Sequence, residues 1–118
     1  MYDKNNVFAK IIRSELPSEK IYEDEILIAI KNINPVAPFH ILVIPKNNYV
    51  DFADFIDNAL SDEINHYFRK INEIAKENNI ADYRIVSNKG AKAGQSVFHF
   101  HTHIISGFDN PDLINENL

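Results

Sequence analysis

The chain contains no cysteine. That removes disulfides, cysteine-ligated zinc and cysteine nucleophiles together, and it fits a reducing compartment. Tryptophan is also missing, and there are only three glycines, so any phosphate-cradling loop must be built from few positions. No run of about 18 apolar residues occurs, so no membrane-spanning helix is expected. The first residues, Met1-Tyr2-Asp3-Lys4-Asn5-Asn6, hold no apolar signal core. Positive charge is in short supply: 12 Lys and Arg against 17 Asp and Glu give a net charge of −5 with His neutral. A general nucleic-acid binder needs the opposite sign, so any phosphate site has to be assembled locally. The expectation is a cytoplasmic protein that binds neither nucleic acid nor membrane.

What is there reads as a globular chain. The 118 residues are 45% hydrophobic, 25% charged and 11% aromatic, which suits one domain over residues 1–118 with a single real core. There is no linker, repeat or biased tract. Phe8, Ile11 and Ile12 at helical spacing behind an Asn5-Asn6 cap predict a short first helix, ended by Pro17. Residues 20–23 and 26–30 read as two strands around an Asp24-Glu25 turn. Asn34-Pro35-Val36-Ala37-Pro38 is a stiff loop, followed by an apolar strand over 40–44 that Pro45 closes. Leu60, Ile64, Phe68, Ile71, Ile74 and Ala75 mark the stripe of a long second helix. Residues 83–86 and 97–105 read as the fourth and fifth strands. Short turns between strands, with two inserted helices, predict an α+β fold on a mostly antiparallel sheet.

Chemistry is concentrated in the fifth strand. Three of the five histidines are His99, His101 and His103. Alternate residues of a strand share a face, so three imidazoles face one side while Phe98, Phe100, Thr102 and Ile104 take the other, where Phe98, Phe100 and Ile104 can anchor it in the core. A solvated polar face is the competing reading, but Lys, Glu or Thr would serve such a face as well. The segment entering this strand, Asn88-Lys89-Gly90-Ala91-Lys92-Ala93-Gly94-Gln95-Ser96, carries two of the three glycines. Glycine lets backbone N–H groups approach an anion, Ser96 adds a hydroxyl, and Lys89 and Lys92 add positive field. The loop reads as a phosphate cradle, with a plain hairpin loop as its alternative.

Metal is the weaker reading of the histidines. In a strand His99 and His103 lie about 13 Å apart at their Cα atoms, too far for one ion to take all three. His99 with His101, or His101 with His40, could chelate one, but no acidic residue nearby in sequence orients them. A nucleophile fits better. Neutral imidazole attacks phosphorus readily, provided one nitrogen is free and the other is hydrogen-bonded. A second imidazole then orients it, and a third assists a phosphate oxygen or the leaving group.

Gln95-Ser96-Val97-Phe98-His99-Phe100-His101-Thr102-His103-Ile104-Ile105 resembles the signature of the histidine triad family. Val7 to Pro17, Tyr22-Glu23-Asp24, and Asn34 through Lys46 are similar to its Hint branch, and only the tail after Gly107 matches poorly. The resemblance implies a five-stranded antiparallel sheet with two helices, completed to ten strands in a homodimer, for this triad-bearing chain. It implies a purine nucleotide substrate and no cofactor. His101 is expected to form a nucleotidyl-histidine, His103 and Ser96 to contact phosphate and leaving group, and His99 and His40 to support His101. Asn88, with Gly94 and Gln95 of the loop, is expected at the nucleotide, and Phe8, Ile11, Leu16, Ile30 and Ile33 at the base. Two departures stand out. The family's ribose-binding Asp is Asn32 here, and no Trp stands near the C-terminus. The expected activity is hydrolysis of nucleoside phosphoramidates. Hydrolysis of dinucleoside polyphosphates, or nucleotide sensing without turnover, are the rivals. His66 off the apolar stripe, the Glu23-Asp24-Glu25 turn, and Asp51, Asp54 and Asp57 are expected to be solvated surface.

Overall fold

The computed structural model describes residues 1–108; the Pro111-Asp112-Leu113-Ile114 tail lies outside the described residues. Five strands form one antiparallel sheet: β1 (Lys20–Glu23), β2 (Leu27–Lys31), β3 (Phe39–Pro45), β4 (Arg84–Val86) and β5 (Thr102–Ser106), in the order β1-β2-β3-β5-β4. Among the described residues three α-helices, α1 (Val7–Ile12), α2 (Phe52–Asn58) and α3 (Ser61–Glu77), accompany the sheet, with a 3-10 turn at Ala91–Ala93.

The central strands β2 and β3 are apolar over Leu27–Ile30 and Ile41–Ile44 because both sheet faces are covered. Leu27, Ala29, Ile41, Val43 and Ile104 pack with Phe55 of α2 and with Tyr67, Ile71 and Ile74 of α3. Ile28, Ile30, Leu42 and Ile44 pack instead with Phe8 and Ile11 of α1. Register carries this division into β5. Thr102 pairs with Val43 and Ile104 with Ile41, on the α3 face; His103 pairs with Leu42, on the α1 face. The expected split between histidines and anchors is therefore present, with one exception: Phe98 is 42% exposed.

That exception follows from where β5 begins. The predicted strand over 97–105 becomes Thr102–Ser106. The neighbouring β3 ends at Pro45, which has no N–H to extend a ladder. Phe100 N–H turns instead to the Tyr49 carbonyl, at 2.7 Å. Phe100 still reaches the core, stacked on Phe55 at 4.7 Å, but Phe98 has no pleat to hold it inward.

The helices also differ from expectation. Asn6 caps α1 by accepting from Ala9 N–H at 2.9 Å. The helix stops at Ile12, well before Pro17, because Ser14 turns out of helical space at φ 63°. Asp51, expected as surface, caps a separate α2 by accepting from Asp54 N–H at 2.9 Å. Asp54 accepts from Val50 N–H at 2.8 Å, and extended backbone at Ala59 and Leu60 parts α2 from α3. The buried face of α3 is Glu63, Tyr67, Ile71, Ile74 and Ala75; Leu60 and Phe68 are exposed. Tyr67 wins over Phe68 because its fully buried hydroxyl is satisfied, donating to the Val43 carbonyl at 2.7 Å and lying 2.8 Å from Thr102 Oγ1. Among the described residues no helix is long and apolar enough to cross a membrane.

Candidate active site

The histidines meet on the α1 face. His101 Nδ1 lies 2.7 Å from the His99 carbonyl. A carbonyl only accepts, so the ring proton sits on Nδ1 and the lone pair on Nε2. The His101 carbonyl accepts from Ser87 Oγ at 2.8 Å, which fixes the main chain on its other side. His99 Nε2–H donates to the Pro45 carbonyl at 2.7 Å, and its Nδ1 accepts from the Tyr2 hydroxyl at 2.5 Å.

A second chain of bonds sets His103. Val36 N–H donates to His40 Nδ1 at 3.1 Å, so His40 carries its proton on Nε2. That proton points at His103 Nδ1, 2.8 Å away. His103 must then carry its own proton on Nε2, and this buried nitrogen has no partner. The result is a bare N–H donor beside His101, the two rings being 5.2 Å apart. His40 thus supports His103 rather than His101.

All four imidazoles are neutral at pH 7. Burial lowers the pKa of His40 and His101. It pushes His99 down to about 4, against the Pro45 carbonyl, which favours the proton. His103 falls to about 3 through burial and the neighbouring His101 and His40. One ring therefore presents a lone pair and the next a donor, with no charge on either.

A cavity of about 420 Å³ opens onto this pair. Phe8, Ile11, Leu16 and Ile30 give it an apolar wall, and Ile33, 89% exposed, stands at its rim. Asn32, Ser96, His101 and His103 form the polar end. The structure thus brings together most of the residues that the sequence singled out. A larger hollow of about 540 Å³ lies between Asn79–Arg84 and Ser106–Phe108; it holds none of the imidazoles.

The loop residues do something else. Gln95 is buried; its Oε1 accepts from Gly90 N–H at 2.8 Å, and its Nε2 donates to the carbonyls of Val50 and Val97 at 2.8 and 3.1 Å. With every polar atom used inward, it braces the loop and does not line the cavity. Gly94 takes φ 101°, where a Cβ would sit 3.4 Å from the Asn88 amide; both lie outside the cavity wall. His66 and Asp24, expected as solvated surface, are joined at 2.6 Å. Asn32 Oδ1 accepts from Asn34 N–H at 2.9 Å, and its Nδ2 lies 3.1 Å from His40 Nε2. Among the described residues no group of three or more His, Asp or Glu side chains is placed to hold a metal ion.

Sequence reasoning missed Tyr2, Ser87, the Val36 N–H and the Pro45 carbonyl. The last two are backbone groups with no residue signature, and Tyr2 is remote from the triad in sequence.

Residues 13–110 match the HIT domain family. An uncharacterized HIT-like protein of Rickettsia prowazekii is 56% identical over 119 residues, covering 99% of each chain. A HIT family hydrolase from Clostridium thermocellum superposes with a TM-score of 0.85 at 42% identity, covering 95% of this chain and 98% of that one. A hypothetical histidine triad nucleotide-binding protein from Sulfolobus tokodaii superposes at 0.74 with 32% identity, covering 87% of this chain and 69% of that one.

Proposed function

The chain belongs to the HIT domain family, and from that premise we propose that it is a nucleotide-binding hydrolase that cleaves purine nucleoside phosphoramidates, such as adenosine 5′-phosphoramidate, to the mononucleotide and an amine. The observation that carries this reading is the lone pair on His101 Nε2 beside the unpartnered Nε2–H of His103, on two rings that both line a largely apolar cavity. The hydrolase and nucleotide-binding relatives support it.

In the proposed reaction the base lies against Phe8, Ile11 and Ile30, and the α-phosphorus faces His101. Nε2 attacks, a P–N bond to His101 forms, and the P–N bond to the amine breaks with its electron pair going to the amine. His103 Nε2–H hydrogen-bonds the departing nitrogen, held in place by His40 Nε2–H on its Nδ1, and the amine takes the proton it needs from solvent at the mouth of the cavity. The Nδ1–H bond to the His99 carbonyl stabilises the positive charge that develops on His101. Water then attacks phosphorus, the P–N bond to His101 breaks with its electron pair returning to Nε2, and the water proton is released to solvent. Ser96, exposed at the cavity edge, is the hydroxyl within the polar end that can bind a phosphoryl oxygen.

The test is turnover of adenosine 5′-phosphoramidate by the wild type and by His101→Ala. The variant is expected to lose at least about a thousandfold in kcat, since the covalent route is gone, and quenched wild type should carry a nucleotide-sized mass adduct. Turnover confined to dinucleoside polyphosphates would move the leaving group to a nucleotide. Binding without any turnover would make the chain a nucleotide sensor.

We further propose a homodimer formed along the outer edge of β4. Both β1 and β4 are sheet edges. β1 carries Lys20 and a register irregularity between Lys20 and Tyr22, features that discourage pairing, whereas β4 presents Ile85 at 52% exposure.

A further inference from the structure

We propose that Tyr2 is a positioning residue for the imidazole cluster, acting through His99; the inference rests on His101 being the nucleophile. Residues 98–101 precede β5 and have no ladder to hold them. Isolated bonds do that work: Phe100 N–H to the Tyr49 carbonyl, Ser87 Oγ to the His101 carbonyl, and the His99 ring.

That ring is fully buried and both its nitrogens are engaged. Nε2–H is committed to the Pro45 carbonyl at 2.7 Å, which leaves a lone pair on Nδ1. The Tyr2 hydroxyl reaches this lone pair at 2.5 Å, with its ring edge-on to His99 at 5.5 Å. Phe8 stands edge-on at 6.5 Å. One tautomer and one ring orientation satisfy both partners. Remove the hydroxyl and a buried acceptor is left unpaired, which favours a flipped or protonated ring. The effect reaches the chemistry through the backbone, because the His99 carbonyl accepts the Nδ1–H that keeps the His101 lone pair on Nε2.

The charged and titratable groups around the pair are Asp3 and Arg13 beside Tyr2, and His101 beside His99. Burial raises the Tyr2 phenol pKa, so the hydroxyl remains a donor across the working pH range. Nothing in the triad motif points to residue 2; only the path of the chain ahead of α1 brings it in.

The test uses Tyr2→Phe in the full chain, which keeps the aromatic ring and deletes the hydroxyl. Two readouts are taken: nitrogen NMR of the His99 and His101 rings across pH, and steady-state kinetics on adenosine 5′-phosphoramidate. Wild type should show a single His99 tautomer protonated on Nε2. In Tyr2→Phe the His99 titration should move up in pH, and kcat should fall about five- to tenfold with KM within about twofold. Unchanged His99 and His101 resonances overturn the inference. So does an unchanged kcat, even with a lowered melting temperature, since the hydroxyl would then serve the fold alone. If wild type shows no phosphoramidate turnover, the proposed function fails by itself. The inference about Tyr2 is then decided by whether the His101 Nδ1–H resonance shifts in Tyr2→Phe.

Discussion

At Asn32 the chain carries an amide where the resemblance leads one to expect a ribose-binding carboxylate, and the surroundings give the substitution a different weight. Its Nδ2 lies 3.1 Å from His40 Nε2, which already directs a proton at His103. Two N–H groups meet there, and only one can be satisfied. A carboxylate at this position has no N–H to oppose that of His40 and still accepts from Asn34 N–H, removing the conflict. Asn32→Asp is expected to raise kcat/KM about three- to tenfold by firming the bond chain behind His103. The gain should appear on ribonucleotide and 2′-deoxynucleotide phosphoramidates alike. Kinetics on the pair check this: a gain confined to the ribonucleotide would assign the residue to the sugar.

Among the elements, the β1–β2 turn shows how one carboxylate can tie strands to a helix. Asp24 Oδ1 accepts from Ile26 and Leu27 N–H at 2.8 and 2.9 Å. Its Oδ2 accepts from the Tyr22 hydroxyl at 2.7 Å and lies 2.6 Å from His66 Nε2 on α3. Burial alone would raise the Asp24 pKa, but these donors outweigh it and hold the carboxyl well below its usual range. Asp24→Ala is expected to cost about 2 kcal/mol, since several donors lose one shared acceptor. His66→Ala should cost less, because that ring is 39% exposed and its bond is screened. Urea unfolding of both variants gives the comparison, and phosphoramidate turnover should be unchanged in each, because the turn is tied to α3 on the far face from the imidazoles.

For the whole molecule, the buried neutral histidines set an acid limit on stability. The folded values of about 4 for His99 and about 3 for His103 lie below the ordinary value of 6.5. Below pH 6.5 the unfolded chain binds protons that the folded one refuses, so unfolding becomes easier as pH falls. The stabilisation is complete above about pH 6.5 and is lost progressively down to about pH 4 for His99 and about pH 3 for His103. Carboxylates such as Asp24 add their own loss only below about pH 4. Urea midpoints measured between pH 7 and pH 4.5 should therefore decline, and a flat profile over that range would show that the rings are not buried neutral. Assembly belongs to the same scale. Sedimentation at micromolar concentration should give twice the 13.6 kDa chain mass; a stable monomer would remove the β4 pairing.

Sequence alone determined most of the strands and the shared face of the histidines, because both depend on local pattern. Apolar runs bounded by turn residues placed β2 and β3, and alternation put His101 and His103 opposite Phe100 and Thr102. It could not place the start of β5, since that is set by Pro45 on another strand. Nor could it divide α2 from α3, or choose Tyr67 over Phe68, since a buried hydroxyl is tolerated only where acceptors such as the Val43 carbonyl await it. Which nitrogen of each imidazole carries the proton was decided by tertiary structure alone. The partners are the carbonyls of Pro45 and His99, the Val36 N–H and the Tyr2 hydroxyl. Three of these are backbone groups, identical in kind at every residue, so only their placement in space distinguishes them. A histidine's identity supplies an imidazole; the fold around it decides whether that imidazole is a nucleophile or a donor.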